Sequence, residues 1–312
     1  VTLDSLVLIN GNSSGNGGAV SIEESGILFV KNSVIRGNTT YGTYGGGGIS
    51  SFSANSSSTV TVENSTISGN NVTGSNSSGG GILSSSNSGS SIVTVKNSTI
   101  SGNKAGIGGG IYSYTSTPSG SFSSTVTVEN STISGNTATN AGGGIYSNAS
   151  SVPSIVTIEN CTISGNTAAN YGSGIYTYHN PTIEVTSSII WSATANNIYN
   201  SSSSTIISNG YNIFSNAPTG YNPATDLINV TSISLNLLPL AFNGGTTQTM
   251  LPGCGSIARN MGNPSDFTAA QNGTITDARR DVGAAEASTI KIVQNLSDAG
   301  SGSLRQVIAD AC

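Results

Sequence analysis

Residues Val60–Asn70 read VTVENSTISGN, and the chain rewrites this stretch several times. Glycine runs that end in an aliphatic residue separate the copies, and successive runs lie 30, 33, 29, 34 and 30 residues apart. A period of this length is typical of a solenoid, in which each repeat forms one coil. The close copies are Val93–Asn103, Val126–Asn136 and Val156–Asn166, with looser ones at Phe29–Asn38 and Val1–Asn12.

Apolar and polar residues alternate within each copy. Val60 and Val62 share one face and Thr61 takes the other, which is typical of a strand with one buried side. Ile67 starts a second short run, and the glycine run leads into a third. Three short strands per repeat, with Gly and Asn turns, predict an all-β parallel β-helix. Looser coils after Pro181 bring the expected total to about nine.

Residues that recur at one coil position form rows along the axis, because neighbouring coils are about 4.8 Å apart. One predicted row is apolar and lies in the core: Ile67, Ile100, Ile133 and Ile163. A second is an amide ladder at a turn with left-handed backbone: Asn38, Asn70, Asn103, Asn136 and Asn166. A third is charged, and we interpret it as fixing the register rather than as catalytic: Lys31, Glu63, Lys96, Glu129 and Glu159.

The composition argues against several classes of protein. Only 7% of the 312 residues are charged, and the formal net charge is -5. The nine Lys and Arg residues are scattered, so we predict no nucleic-acid partner. No apolar run reaches roughly 20 residues, so we predict no membrane span. The chain opens on the strand-like Val1–Leu3 without a leader, which indicates a removed leader or an excised piece.

Three cysteines do not form a closed set of disulfides. Cys161 replaces the serine of the repeat, so we expect a buried, unpaired thiol there. Cys254 and Cys312 lie outside the repeats, and a disulfide between them, within one chain or between neighbours, is one hypothesis.

Two sets of motifs resemble known families. The repeats, with their Gly-Gly-aliphatic and Ser-Gly-Asn signatures, resemble those of extracellular right-handed parallel β-helix proteins, including the polymorphic outer-membrane-protein type. Residues 240–249 (LAFNGGTTQT), 251–258 (LPGCGSIA) and 277–286 (DARRDVGAAE) resemble the choice-of-anchor Q segment that closes many bacterial surface β-helices. Arg259, Asn260 and Ala285 depart from its pattern. The resemblance implies a right-handed solenoid with an irregular C-terminal cap and a secreted or cell-surface location, rather than one chemistry.

The order of the segments is unusual. Residues 295–311 (NLSDAGSGSLRQVIADA) resemble the segment that usually opens such a protein, yet here they come last. The chain meanwhile begins at a coil edge, whose unpaired backbone groups would template pairing with another chain. Either residues 289–312 complement the first coil of the next subunit and give a head-to-tail filament, or the sequence is one period of a tandem array. We favour the first hypothesis, with these assembly residues: Val1, Thr2, Leu3, Ile290, Ile292, Leu296, Leu304, Arg305, Val307 and Ile308.

A search for catalytic groups gives no candidate. The lone His179 lies in a turn, and the carboxylates outside the charged row fall in different segments. Arg279, Arg280, Asp281 and Glu286 cluster in the cap motif, where we expect an internal salt bridge. No metal-ligand spacing or phosphate loop is recognisable, so we predict no catalytic residue, cofactor or metal site and no enzyme activity.

The sequence therefore predicts a structural protein of the cell surface that assembles with copies of itself. We expect the β-helix over residues 1–240, the cap over 241–288 and the complementing segment over 289–312. A polysaccharide-active enzyme is the third hypothesis. The second is a surface adhesin or glycan-binding module that uses the face near Tyr112, Tyr114, Tyr146, Tyr176 and Tyr178.

Overall fold

The computed structural model describes residues 1–42, 45–74, 77–116, 122–149, 154–179, 181–193, 197–200, 205–274 and 279–287. Within these residues the strands stack as an all-β parallel solenoid, as the sequence predicts. A complete coil contributes one strand to each of four sheets, which we call A to D in chain order. The sequence predicts only three strands per coil. It misses sheet C because those strands are two to five residues long and carry no regular apolar alternation.

The first two strands of each coil form sheets A and B. Sheet A contains Thr2–Asp4, Ile27–Lys31, Ser58–Glu63, Ser91–Lys96, Ser124–Glu129, Ser154–Glu159, Pro181–Thr186 and Thr205–Ser208. Sheet B contains Val7–Ile9, Val34–Arg36, Thr66–Ser68, Thr99–Ser101, Thr132–Ser134, Thr162–Ser164, Ile189–Trp191 and Ile213–Phe214. We number the coils 1 to 8 by their strand in sheet A.

The last two strands of each coil form sheets C and D. Sheet C contains Asn12–Ser13, Thr39–Thr40, Asn71–Val72, Lys104–Ile107, Thr137–Ala141 and Thr167–Ala168. Sheet D contains Val20–Glu23, Ile49–Ser53, Ile82–Ser86, Ile111–Thr115, Ile145–Ala149, Ile175–Tyr178 and Ile198–Asn200. One short helix, Ser232–Leu235, follows the strands in the described part of the chain.

The stack has fewer coils than the predicted nine. Coils 1 to 6 have all four strands, whereas among the described residues coil 7 has three and coil 8 has two. The leucine-richer residues after Phe214 do not form a further coil. Instead the Asp226 carboxylate accepts the backbone N–H of Asn212 at 3.0 Å, at the position where a further coil would place its accepting side chain. The last coil is therefore closed by a side chain.

Inward-facing aliphatic residues fill the solenoid with one continuous core. The predicted apolar row is confirmed, because Ile67, Ile100, Ile133 and Ile163 lie opposite one another in sheet B and are fully buried. In sheet A, Val60 and Val62 and their counterparts in coils 4 to 7 are equally buried. Full burial of one such side chain contributes roughly 1.5–3 kcal/mol. This term repeats in every coil and supplies the main stabilisation of the body.

The predicted asparagine ladder is confirmed at the turn between sheets B and C. Asn70 donates from Nδ2 to Asn103 Oδ1 (2.9 Å) and to the Ile35 carbonyl (3.0 Å), and its backbone N–H donates to the same Asn103 oxygen (3.0 Å). The pattern repeats from Asn38 to Asn166. The expected left-handed backbone is not at these residues. It lies one residue earlier, at glycines such as Gly69 (φ 61°), where no Cβ opposes a positive φ.

A second ladder occupies the turn between sheets A and B. Ser65 Oγ donates to the Glu63 carbonyl at 2.7 Å and accepts the backbone N–H of Ser33 from the preceding coil at 3.0 Å. Equivalent positions continue the row: Ser33, Ser65, Ser98, Ser131, Cys161, Ser188 and Asn212, with Asp226 at its end. Cys161 is buried and free, as expected, and burial raises the pKa of its thiol to about 12.

A third polar row lies inside the solenoid where sheet D meets sheet A. Ser84 of coil 3 and Ser91 of coil 4 are joined at 2.8 Å, and Ser91 also reaches Ser113 of its own coil at 3.1 Å. The buried hydroxyl chain contains Ser51, Ser58, Ser84, Ser91, Ser113, Ser124, Ser147 and Ser154. Each hydroxyl finds a partner on its neighbours, so these serines do not leave unpaired polar groups in the core.

Residues 215–274 and 279–287, which we call the flank, lie beside the stack. Near coil 4, Thr99 Oγ1 donates to the Gln248 carbonyl (2.5 Å), and near coil 6 the backbone N–H of Ala284 donates to Thr162 Oγ1 (3.1 Å). The flank also forms its own apolar cluster with coils 7 and 8: Ile189, Ile213, Val230, Leu235, Ala258 and Val282. The described residues of the predicted cap, 241–274 and 279–287 of the range 241–288, therefore lie along sheet B of coils 4 to 7.

Candidate interaction surfaces

The predicted assembly residues lie in two places. Val1, Thr2 and Leu3 belong to the first coil. Within the part of the chain that the structure describes, its strand Thr2–Asp4 pairs with Ile27–Lys31 of coil 2 and with no other strand. Val1 is 74% exposed, whereas the Leu3 side chain packs against the core. The other seven predicted assembly residues, Ile290, Ile292, Leu296, Leu304, Arg305, Val307 and Ile308, lie outside the described residues. Their role stays a prediction.

Coils 1 and 2 carry exposed apolar side chains that the sequence argument does not single out. Val7 is 62% exposed on sheet B, and Leu6 and Ile9 beside it are also exposed. Ile27 and Phe29 extend the patch onto sheet A. Threonine occupies the positions equivalent to Ile27 and Phe29 in coils 3 and 5 of sheet A, and the position equivalent to Val7 in coils 3 to 6 of sheet B. Serine occupies the position of Ile9 in coils 3 to 6. The sequence could have predicted this patch, because coils 1 and 2 have apolar residues at outward positions where later copies of the repeat have threonine.

The charged row forms ion pairs at the predicted register. Lys31 lies 3.5 Å from Glu63, and Lys96 lies 2.7 Å from Glu129, with all four side chains partly exposed. Hydrogen bonding and charge attraction from Glu129 raise the pKa of Lys96. Pairs this exposed contribute at most about 1 kcal/mol.

Arg280 anchors the flank to two coils. It is 1% exposed, donates from Nη2 to Asn130 Oδ1 at 2.7 Å, and lies 3.8 Å from Asp266 through Nε. Asp266 in turn accepts from Asn160 Nδ2 of the next coil at 2.7 Å. Burial opposes ionisation of Asp266, but hydrogen bonds from Thr268 and the charge of Arg280 outweigh it and lower the pKa of this carboxyl. These groups hold the flank in place.

The tyrosines named as a glycan-binding face lie together on the outer side of sheet D. The rings of Tyr112, Tyr146 and Tyr176 stack along the axis with centroids 5.2 and 5.0 Å apart, and Tyr199 continues the stack at 5.6 Å. Burial against these neighbours raises the pKa of Tyr146. Because each ring covers the face of the next, this inner row presents mainly ring edges to solvent.

The second outward row of sheet D is interrupted. Phe52 of coil 2, Ser85 of coil 3 and Tyr114 of coil 4 occupy the same position. The short Ser85 side chain leaves a groove of about 670 Å³ between the two rings, lined by Asn16, Phe52, Leu83, Ser85, Asn87, Tyr112 and Tyr114. Farther along the row, Asn148 fills the equivalent place and contacts His179 Nδ1 at 3.1 Å. His179 is exposed and edge-on to Tyr178.

Two further predictions concern cysteines and metal sites. Cys254 lies in an exposed part of the flank, whereas Cys312 is outside the described residues, so their pairing stays a prediction. Among the residues that were described, no group of three or more His, Cys, Asp or Glu side chains could hold a metal ion. The same residues also contain no helix that is long and apolar enough to cross a membrane.

Comparison with known proteins gives one family match. Residues 130–148 and 160–178 match the model of the Chlamydia polymorphic membrane protein repeat. Each match starts at the left-handed Asn of the turn between sheets A and B and ends in the sheet D strand, so it spans most of one coil. No curated protein and no solved structure matches the chain.

Proposed function

We propose that this chain is an extracellular surface protein whose solenoid is a structural element that associates end to end with further coils. The match of two coils to the Chlamydia polymorphic membrane protein repeat supports the surface location. Resemblance of residues 240–286 to a choice-of-anchor Q segment agrees with that location. The proposed role is non-catalytic, and two of the three carboxylates of the charged row, Glu63 and Glu129, pair with lysines.

The observation that carries the assembly step is the difference between the two ends of the stack. At coil 8, Asp226 and the flank occupy the positions of a further coil. At coil 1, the strands pair on one side only among the described residues, and exposed apolar residues such as Val1 and Val7 surround them. Unlike ends favour a head-to-tail contact, which continues as a filament when the rotation does not close.

Particular backbone groups are available at the open end. The Val1 carbonyl accepts the N–H of Phe29, so Val1 and Leu3 direct their backbone groups towards coil 2. Because successive residues of a strand alternate, Thr2 and Asp4 direct theirs to the opposite side. A strand from residues 289–312 of a second copy would pair there by β-augmentation. In a tandem array, the same groups would pair with the preceding repeat instead.

Electron microscopy and sedimentation velocity of the full chain test this assembly. We expect concentration-dependent polymers that disappear when residues 289–312 are deleted. The variant Thr2→Pro removes one N–H from the open edge and should weaken assembly, whereas Thr2→Val keeps it and should not. A wild-type chain that stays monomeric at all concentrations would contradict end-to-end association. Polymers that survive both the deletion and Thr2→Pro would also contradict it.

A further inference from the structure

We infer that the groove over Ser85 binds one uncharged pyranose ring of a glycan, held between the side chains of Phe52 and Tyr114. This inference does not depend on end-to-end assembly. It concerns the outer face of sheet D in coils 2 to 4, whereas the flank lies along sheet B, and Asn16 of coil 1 lines one part of the groove.

The first argument is the spacing of the two aromatic rings. Phe52 and Tyr114 occupy the same row, and Ser85 is the one residue of that row between them. Two inter-strand steps of about 4.8 Å place their backbones roughly 9–10 Å apart. Carbon atoms make optimal contact at about 3.5–4.0 Å, so one ring fits between two aromatic faces at that separation. In the neighbouring row of sheet D, the rings of Tyr112, Tyr146 and Tyr176 stack directly on one another and leave no gap between them.

The second argument is the chemistry of the groove wall. Leu83 and Tyr112 form an apolar side next to the gap, and the carboxamides of Asn16 and Asn87 lie at its polar side. Among the described residues, no charged side chain lines the groove. A sugar ring has apolar C–H faces and a rim of hydroxyls, which match aromatic walls and amide hydrogen-bonding groups. A charged ligand would lose hydration here without gaining an ion pair.

The chain itself provides a way to close the groove. Tyrosine is already accepted at this row position in coil 4 and coil 6, at Tyr114 and Tyr178. The variant Ser85→Tyr should therefore fold and fill the gap with a stacked ring. Asn148 occupies the same row in coil 5, on the other side of Tyr114. Asn148→Tyr adds the same side chain outside the groove and is the matched control.

The experiment is titration calorimetry of the full chain with a panel of short, uncharged oligosaccharides of glucose, mannose, galactose and N-acetylglucosamine. We expect at least one to bind, with affinity falling by about tenfold or more in Ser85→Tyr and staying within about twofold in Asn148→Tyr. Phe52→Ala removes one wall and should weaken binding to a similar extent, so the test does not rest on one variant. Circular dichroism of each variant checks that the fold is retained.

Three results would overturn the inference. One is the absence of binding to every uncharged oligosaccharide of the panel. Another is binding that Ser85→Tyr and Phe52→Ala leave unchanged, which would place the site elsewhere. The third is an equal loss in Ser85→Tyr and Asn148→Tyr, which would assign binding to the tyrosine face as a whole rather than to this groove.

Discussion

Coils 1 to 3 and coils 4 to 7 are built from the same repeat, yet among the described residues only the second group has its sheet B face covered. Thr66 of coil 3 is half-buried, whereas the equivalent Thr99, Thr132 and Thr162 are at most 1% exposed. The Thr132 hydroxyl donates to Gln271 Oε1 at 2.7 Å, so the flank is bound to the stack through a hydroxyl of this threonine row. The repeated threonines provide the same hydroxyl in coils 3 to 6, and the non-repeating flank determines which of them become an interface.

Removing Arg280 should have the largest effect and should act only on the covered coils. Arg280→Met leaves the Asp266 carboxylate and Asn130 Oδ1 without their buried partner, a loss of about 3–5 kcal/mol. We expect faster hydrogen exchange around Asn130 and Asn160 and a shifted emission of Trp191, the single tryptophan, which contacts the flank. Arg279→Met is the control, since Arg279 stacks on Tyr211 nearer the surface. Equal loss of protection in coils 1 to 3 would contradict this division.

The asparagine ladder should show the opposite behaviour, because it lies inside both groups of coils. Asn70→Ala in coil 3 and Asn136→Ala in coil 5 each remove a side chain with buried partners above and below. We expect each substitution to lower the free energy of unfolding by about 2–3 kcal/mol, because it leaves buried donors and acceptors unpaired. Chemical denaturation with local hydrogen exchange measures the two costs, with Asn71→Ala as a half-buried neighbouring control. A much smaller cost at Asn70 would mean that the ladder depends on the flank.

Acid should loosen the covered coils before the uncovered ones. The folded-state pKa of Asp266 is lowered, so its contribution is present above the unfolded value, about 3.9, and is lost as the pH falls through the folded value. We expect Trp191 emission to change as the pH falls below about 4. Asp266→Asn should remove most of this dependence. An unaltered acid transition in that variant would assign it to other carboxylates.

The exposed ion pairs should give the smallest effect and no difference between the two groups. Lys31→Gln in coil 2 and Lys96→Gln in coil 4 each break one pair on sheet A. We expect losses below about 1 kcal/mol that shrink further in high salt. Thermal unfolding at low and high salt measures them. A large loss for either variant would show that the row contributes to stability and not only to register.

Local periodicity was sufficient for much of the fold. The alternation in Val60–Val62 predicts the strand, and the fixed spacing from Asn70 to Asn103 predicts the ladder, because stacking equivalent residues leaves one register. The same argument misses sheet C, since Asn71–Val72 is too short to show a period. It also overestimates the number of coils, because Asp226–Leu240 carries apolar residues that pack in the flank rather than in a coil.

The candidate site could be predicted only in part. The repeated Ile-Tyr pairs place Tyr112, Tyr146 and Tyr176 in one row from sequence alone. In the structure these rings cover one another, whereas Ser85 leaves a gap between Phe52 and Tyr114. Both features depend on which side chains of three successive coils lie in the same outward row. The gap cannot be predicted from one repeat, because it is formed by residues of three neighbouring coils.

The sequence by itself determined the parallel solenoid, its register and its buried rows, since each depends on a residue type recurring at one coil position. Only the tertiary structure decided which repeats are covered, where the flank lies and how the end of the stack is closed. These features depend on residues outside the repeat, such as Asp226 and Arg280, and on their contacts with residues of the coils, such as Asn212 and Asn130. Periodicity specifies repeated contacts and contains no information on unique ones.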